Sequence, residues 1–94
     1  MIKHFELLTA ICRIKRMEKH FDAVKNAIKK DPRALKNDAK LRKRLEILKK
    51  YYGGVWMRDY ERDERGELPK KLKRGVLSQD GLYDLLAELK EQDV

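Results

Sequence analysis

The 94-residue chain is poor in the residues that build disulfide-linked folds, membrane spans and enclosed pockets. Its single cysteine, Cys12, excludes an intrachain disulfide and is compatible with a reducing compartment. No run approaches the roughly 20 apolar residues of a membrane span. From Glu6 onward, charged residues interrupt any apolar signal segment, so we predict a cytoplasmic protein with no membrane association. Because a chain this short has a thin core, we expect no deep pocket and no cofactor.

Charge is abundant, and its two signs are unevenly distributed. Residues 1–52 carry sixteen Lys and Arg against six Asp and Glu, a net charge of +10, whereas residues 53–94 carry eight against ten, a net charge of −2. The basic half could bind an anionic partner, attract the acidic half of the same chain, or pair with a second copy. A solvated lysine-rich surface without a partner is the fourth interpretation.

The apolar residues of the first thirty positions predict one long helix, because they recur every three or four residues. They are Leu7, Ile11, Ile14, Met17, Phe21, Val24 and Ile28. Phe5, Leu8 and Cys12 form a second apolar line, from which we expect that another element covers this end and that Cys12 is a buried small hydrophobe.

A second helix should begin after the break at Asp31-Pro32, with Pro32 favoured as its first residue and Asn37-Asp38 as a competing start. Its apolar stripe is Leu41, Leu45, Leu48 and Tyr52, and Gly53-Gly54 predict a left-handed C-cap. The two matched helices predict an antiparallel hairpin over residues 2–52. Ile47 lies off the stripe, which suggests that it contacts a third element or an interface.

Residues 53–94, the capping segment, predict a short helix from Val55 to about Glu64, an ordered loop and a final helix with Ser78 as its N-cap. Leu77 and Leu82 have the spacing of a hydrophobic staple. We therefore predict a single all-α domain over residues 1–94, a helical hairpin closed at one end by this segment. The residues predicted to close it are Trp56, Tyr60, Leu68, Leu72, Arg74, Val76, Ser78 and Tyr83.

The run W-x-x-D-Y-E-x-D-E-x-G-x-L-P-x-x-L-K-R-G-V-L-S-x-D-x-L-Y-x-L-L, from Trp56 to Leu86, resembles a small bacterial family known as domain of unknown function 4298. The resemblance is close over about a third of the chain and looser over the second helix, and the first helix matches only as a generic charged helix. It implies a compact, all-helical bacterial domain, and it implies no activity. Gln79 stands where the family pattern suggests an acidic residue.

An acidic cluster in the capping segment is the first candidate for chemistry. Asp59, Glu61 and Asp63 have the first spacings of a calcium loop, but the glycine and the final glutamate do not follow at the required positions. Asp59 and Asp63 could share a divalent ion with Asp80. The more favoured interpretation is that these carboxylates pair with arginines such as Arg74.

A basic run, Lys70 to Arg74, is the second candidate, since it precedes a helix N-terminus where a phosphate could bind. It lacks the spacing of a phosphate-binding loop, and we favour a structural role for Arg74. Cys12, the two histidines and Ser78 form no recognisable catalytic arrangement, so we predict that the protein is not an enzyme.

The hairpin offers a third candidate, a set of cations able to contact phosphates. They are Arg13, Arg16, Lys36, Lys40, Lys43, Arg44 and Lys50. The sequence thus favours a small non-enzymatic interaction or adaptor protein that binds a protein partner or forms a homodimer. The alternatives are a nucleic-acid-associated protein using this basic hairpin and, third, a metal-dependent enzyme at the acidic cluster.

Overall fold

A computed structural model describes residues 2–78 and 80–92 of the chain. In chain order these residues form α1 (Ile2–Lys30), α2 (Ala34–Asn37), α3 (Ala39–Tyr52), α4 (Trp56–Glu64), a 3-10 turn (Gly75–Leu77) and α5 (Gly81–Gln92). No strand occurs within these ranges, which confirms the all-α prediction. None of the described helices is both long enough and apolar enough to cross a membrane.

Helix α1 runs without interruption for 29 residues because neither glycine nor proline occurs before Pro32. At a rise of about 1.5 Å per residue it is roughly 44 Å long, nearly the whole 46 Å length of the molecule. Helix α3 packs antiparallel to it, and their apolar faces form the centre of the core. The buried core residues of these two helices are Ile14, Met17, Phe21, Val24, Ile28, Leu41, Leu45, Leu48 and Tyr51.

The favoured start of the second helix near Pro32 is wrong, and the competing start at Asp38 is correct. Residues 34–37 form the separate single turn α2, and Asp38 then adopts an extended backbone conformation. One Asp38 carboxylate oxygen accepts the backbone N–H groups of Lys40 at 2.9 Å and Leu41 at 3.2 Å. This side-chain cap supplies acceptors for two N–H groups that α3 leaves without helical partners, and so fixes where the helix begins.

The left-handed glycine of the fold is Gly66, whereas the sequence predicted one at Gly53-Gly54. Gly53 ends α3 with a right-handed φ of −81°. Gly66 has a φ of +72° and ends α4. Its backbone N–H donates to the backbone carbonyl of Asp63, and the backbone N–H of Glu67 donates to the backbone carbonyl of Arg62. This bond pair is a Schellman motif, which reverses the chain and directs it toward Leu68.

The capping segment covers one side of the hairpin near its open end. Its buried residues are Trp56, Asp59, Leu68, Leu72, Val76, Leu77, Leu82, Leu85 and Leu89. Leu77 and Leu82, the predicted staple pair, are both buried. Ser78 Oγ accepts the N–H of Gly81 at 3.1 Å, the bond expected of a capping serine.

Three burial predictions are wrong. Tyr83 is 57% exposed, because it lies about 100° around α5 from the inward-facing Leu82. Cys12 is exposed, as are Phe5 and Leu8, because this line of α1 points away from its core face. In α3 the buried tyrosine is Tyr51, while Tyr52 is only half-buried.

Candidate interaction surface

A buried carboxylate joins three helices at the open end of the hairpin. Asp59 of α4 has no solvent exposure, and it accepts two hydrogen bonds from the guanidinium of Arg13 on α1, Nε at 2.9 Å and Nη2 at 2.6 Å. The phenol of Tyr51 on α3 donates to the same carboxylate at 2.7 Å. Because a bidentate arginine fixes both position and orientation, this contact sets the position of α4 on the hairpin.

The contacts of this network also shift the ionisation of its members. The hydrogen bond to Asp59 raises the pKa of Arg13, and burial followed by the Asp59 bond strongly raises the pKa of Tyr51. Tyr51 is therefore a neutral donor and Arg13 a cation at neutral pH. The sequence predicted Arg13 as a phosphate contact, and in the structure two nitrogens of its guanidinium bind Asp59.

The second carboxylate of the acidic cluster binds a different cation. Asp63 accepts a hydrogen bond from Arg74, whose guanidinium also donates to the backbone carbonyl of Leu72. This is the arginine–acid pairing that the sequence favoured over metal binding, and it holds the loop between Gly66 and Gly75 against α4. Asp80 is exposed, and among the described residues no three His, Cys, Asp or Glu side chains converge as metal ligands.

Trp56 connects α4 to the 3-10 turn. Its indole N–H donates to the carbonyl of Val76 at 2.9 Å, and its ring stacks on Tyr60 at a centroid distance of 5.1 Å. Val76 is fully buried, and Trp56, Leu68 and Leu72 are each less than a tenth exposed. Among the predicted closing residues, Tyr60 and Arg74 are half-buried, and Ser78 and Tyr83 are exposed.

Sequence reasoning missed Glu18, a buried carboxylate on α1. It accepts the backbone N–H of Val76 at 3.2 Å, and burial is the main cause of its raised pKa. A Cβ at Gly75 would lie 2.7 Å from the carboxylate of Glu18, so a side chain there would displace this carboxylate. The acidic residue within the apolar face of α1 was a usable signal, because buried carboxylates need hydrogen-bond donors.

The side of the hairpin away from the Glu18–Val76 contact is basic. Glu18 faces the capping segment, and Arg16 lies two residues earlier, a rotation of about 200° that places it on the opposite side of α1. Arg44 of α3 reaches the same side, where its guanidinium contacts His20 at 3.2 Å. Lys40, Lys43, Ile47 and Lys50 continue this side along α3, since their spacing of three and four residues keeps them on one face.

We name this surface the basic face, comprising Arg16, His20, Lys40, Lys43, Arg44, Ile47 and Lys50. Five of the seven predicted phosphate contacts belong to it. Lys36 is exposed on the separate α2, and Arg13 lies in the buried network. Within the described part of the chain, none of the cations of the basic face forms an ion pair.

This architecture defines a class of protein, a basic helical hairpin closed by a carboxylate-bonded capping segment. The chain belongs to the family described as domain of unknown function (DUF4298), whose family model matches residues 14–92. The match extends through most of α1, which the sequence resemblance covered only as a generic charged helix. No curated protein and no solved structure matches the chain.

Proposed function

We propose that this protein is a small non-enzymatic interaction module whose basic face binds an acidic surface of a partner protein. The observation that carries the proposal is the cluster of five cations on one face of the hairpin. Arg62, Arg65 and Arg74 of the capping segment form ion pairs, as does Arg13. None of the ion pairs that the described side chains form involves a cation of the basic face.

The composition of the basic face favours a protein over a phosphate polymer. Ile47 lies between Lys43 and Lys50 with 36% of its surface exposed, and it lines a shallow cleft with those two lysines and with the Glu46–Lys49 ion pair. Protein interfaces combine an apolar centre with a charged rim, whereas a phosphodiester backbone offers no apolar surface that an isoleucine could contact. None of the residues that form the basic face is aromatic, so the face offers no platform for stacked bases.

The scaffold behind this face is suited to binding because it is preorganised. The Arg13–Asp59 and Glu18–Val76 contacts tie α1 to the capping segment, and Tyr51–Asp59 ties α3 to it. Presenting charges from helices fixed in this way reduces the ordering that binding would otherwise require. The protein would act by docking, with no chemical step of its own.

A nucleic-acid-associated function is the second candidate, and one observation favours it. The free cations extend along α3 from Lys40 to Lys50, about 15 Å at the helical rise, which is long enough to contact more than one phosphate. Binding of this kind would be weakly sequence-specific and strongly dependent on salt.

Fluorescence anisotropy with labelled polyglutamate and labelled mixed-sequence DNA and RNA, over a salt series, separates these candidates. The proposal predicts salt-sensitive polyglutamate binding that is tighter than nucleic-acid binding at equal chain charge. Tight DNA or RNA binding with weak polyglutamate binding would favour the second candidate. Absence of binding to every probe at low salt would contradict both.

Self-association, a bacterial source and a cytoplasmic location stay predictions from the sequence. For self-association, Phe5 and Leu8 provide the exposed apolar surface, since the two residues are 74% and 49% exposed. Sedimentation equilibrium at high protein concentration tests it. A concentration-independent monomer mass would exclude a homodimer.

A further inference from the structure

The centre of the basic face brings together three nitrogen-bearing side chains without a carboxylate. His20 of α1 is half-buried, and its Nδ1 lies 3.2 Å from Nη1 of Arg44 on α3. Arg16 precedes His20 by four residues, so its side chain lies one turn away on the same side of α1. Two guanidinium groups beside one imidazole would repel each other if nothing compensated their charge.

The carboxylates nearest in sequence are directed elsewhere. Glu18 binds the backbone N–H of Val76 on the opposite side of α1, and Asp22 lines a cleft there with Glu18 and Lys71. The charged groups that act on His20 are Arg44 from α3 and Arg16 from α1, both cations. Lys40 precedes Arg44 by one turn and adds a third positive charge to this side.

The hydrogen bond determines which histidine nitrogen can bind a ligand. A guanidinium can only donate, so Nδ1 of His20 accepts and the neutral imidazole carries its proton on Nε2. Burial, then the charges of Arg44 and Arg16, lower the pKa of His20, which keeps the ring neutral at physiological pH. An anion could accept hydrogen bonds at the same time from the Nε2–H of His20 and from the remaining N–H groups of the two guanidinium groups.

We infer that Arg16, His20 and Arg44 form a binding site for a single phosphate group. Two planar guanidinium groups match the oxygen geometry of phosphate, and the imidazole adds a neutral donor. Bound phosphate would neutralise the repulsion between the arginines and favour the protonated imidazole. The group could be free phosphate or a phosphate monoester. The site is part of the basic face, but it does not rest on the proposed protein docking, and it can be tested apart from Lys43, Ile47 and Lys50, which lie outside it.

The test is an NMR titration of the His20 ring with inorganic phosphate and with O-phosphoserine as a model monoester, assigned with a His4→Gln variant. Phosphate is expected to raise the pKa of His20, and Arg16→Gln should weaken phosphate binding at least fivefold. Lys15→Gln, one residue away and directed elsewhere, is the matched control and should leave binding unchanged. Response to O-phosphoserine alone would assign the site to monoesters, and response to both would assign it to the phosphate group itself.

The inference is overturned if neither compound moves the His20 signals at tens of millimolar, or if Arg16→Gln and Lys15→Gln weaken binding equally. The docking proposal fails on a different readout. A Lys43→Glu, Lys50→Glu variant that retains Arg16, His20 and Arg44 can lose polyglutamate binding while phosphate binding is unchanged. Conversely, Arg16→Gln can lose phosphate binding while polyglutamate binding is kept.

Discussion

Asp59 on α4 receives both N–H groups of one edge of the Arg13 guanidinium, although the two residues are 46 positions apart. The carboxylate has no solvent exposure, whereas Arg13 is 23% exposed at its side chain. This pair joins the capping segment, which has a net negative charge, to the basic hairpin. It shows that part of the charge asymmetry of the sequence serves the fold.

Replacing Asp59 by Asn should destabilise the protein by about 3 kcal/mol, because removing one member of a buried pair leaves the other uncompensated. The value lies at the low end of the usual range since Arg13 retains some contact with water. Glu61→Gln, an exposed change on the same helix, should stay within about 0.5 kcal/mol. Urea denaturation measures both, and a similar small loss for the two variants would contradict the structural role of the pair.

Tyr51 gives the fold a dependence on high pH. Its pKa in the folded protein is raised above the ordinary value of about 10, so folding favours the protonated phenol. The contribution is fully present below about pH 10 and is lost as the pH rises further, because the unfolded chain then releases a proton that the folded chain keeps.

The free energy of unfolding should therefore fall above pH 10 by up to about 1.4 kcal/mol per pH unit from this group alone. Tyr51→Phe should remove that part of the slope, and Tyr83→Phe, an exposed control, should not. Chemical denaturation at a series of alkaline pH values makes the comparison. Identical slopes for wild type and Tyr51→Phe would contradict the prediction.

Trp56→Ala should cost roughly 3–5 kcal/mol, as the truncation of a large aromatic residue in a core does. The side chain is 6% exposed, and the change also leaves the Val76 carbonyl without its donor. Met57→Ala, next to it but 54% exposed, is the control and should change stability little. Thermal and urea unfolding report the difference, and a cost below about 1 kcal/mol for Trp56→Ala would show that Trp56 is a surface contact.

Gly81→Ala should destabilise the start of α5 by about 1–2 kcal/mol, the value of a lost N-cap. A Cβ there would lie 2.2 Å from Ser78 Oγ and 3.0 Å from the Gly75 carbonyl, so Ser78 would have to leave its capping position. At Gly53 the nearest atom is 3.6 Å away and φ is negative, so Gly53→Ala should be neutral or slightly stabilising. Equal effects of the two changes in urea denaturation would disprove this account.

The helices and the closing role of Trp56 could be predicted from the sequence because they rest on local spacing. Residue spacing could not decide between Tyr51 and Tyr52, since both fit three or four residues after Leu48. It also could not identify the partner of Asp59, because several arginines are closer in sequence than Arg13. These choices depend on the crossing of α1, α3 and α4, which is a tertiary property.

The sequence could predict which cations share one side of the hairpin, but it could not predict whether that side is exposed. Helical spacing placed Lys40, Lys43 and Lys50 on one face, but whether acidic residues of the capping segment covered it was open. The structure directs Asp59 and Asp63 to Arg13 and Arg74, and this leaves the face uncovered. Glu18 was missed because its hydrogen-bond partner is a backbone N–H 58 residues away.

The most direct test of the central claim compares two triple charge reversals in polyglutamate binding. The first, Lys40→Glu, Lys43→Glu and Lys50→Glu, alters the basic face. The second, Lys70→Glu, Lys71→Glu and Lys73→Glu, changes the net charge equally on exposed positions of the capping segment. With both variants shown to be folded by circular dichroism, the account predicts at least a tenfold loss of affinity for the first and less than a threefold loss for the second, since only the first removes contacts. Equal losses would show that binding follows net charge alone and would contradict a docking surface on the hairpin.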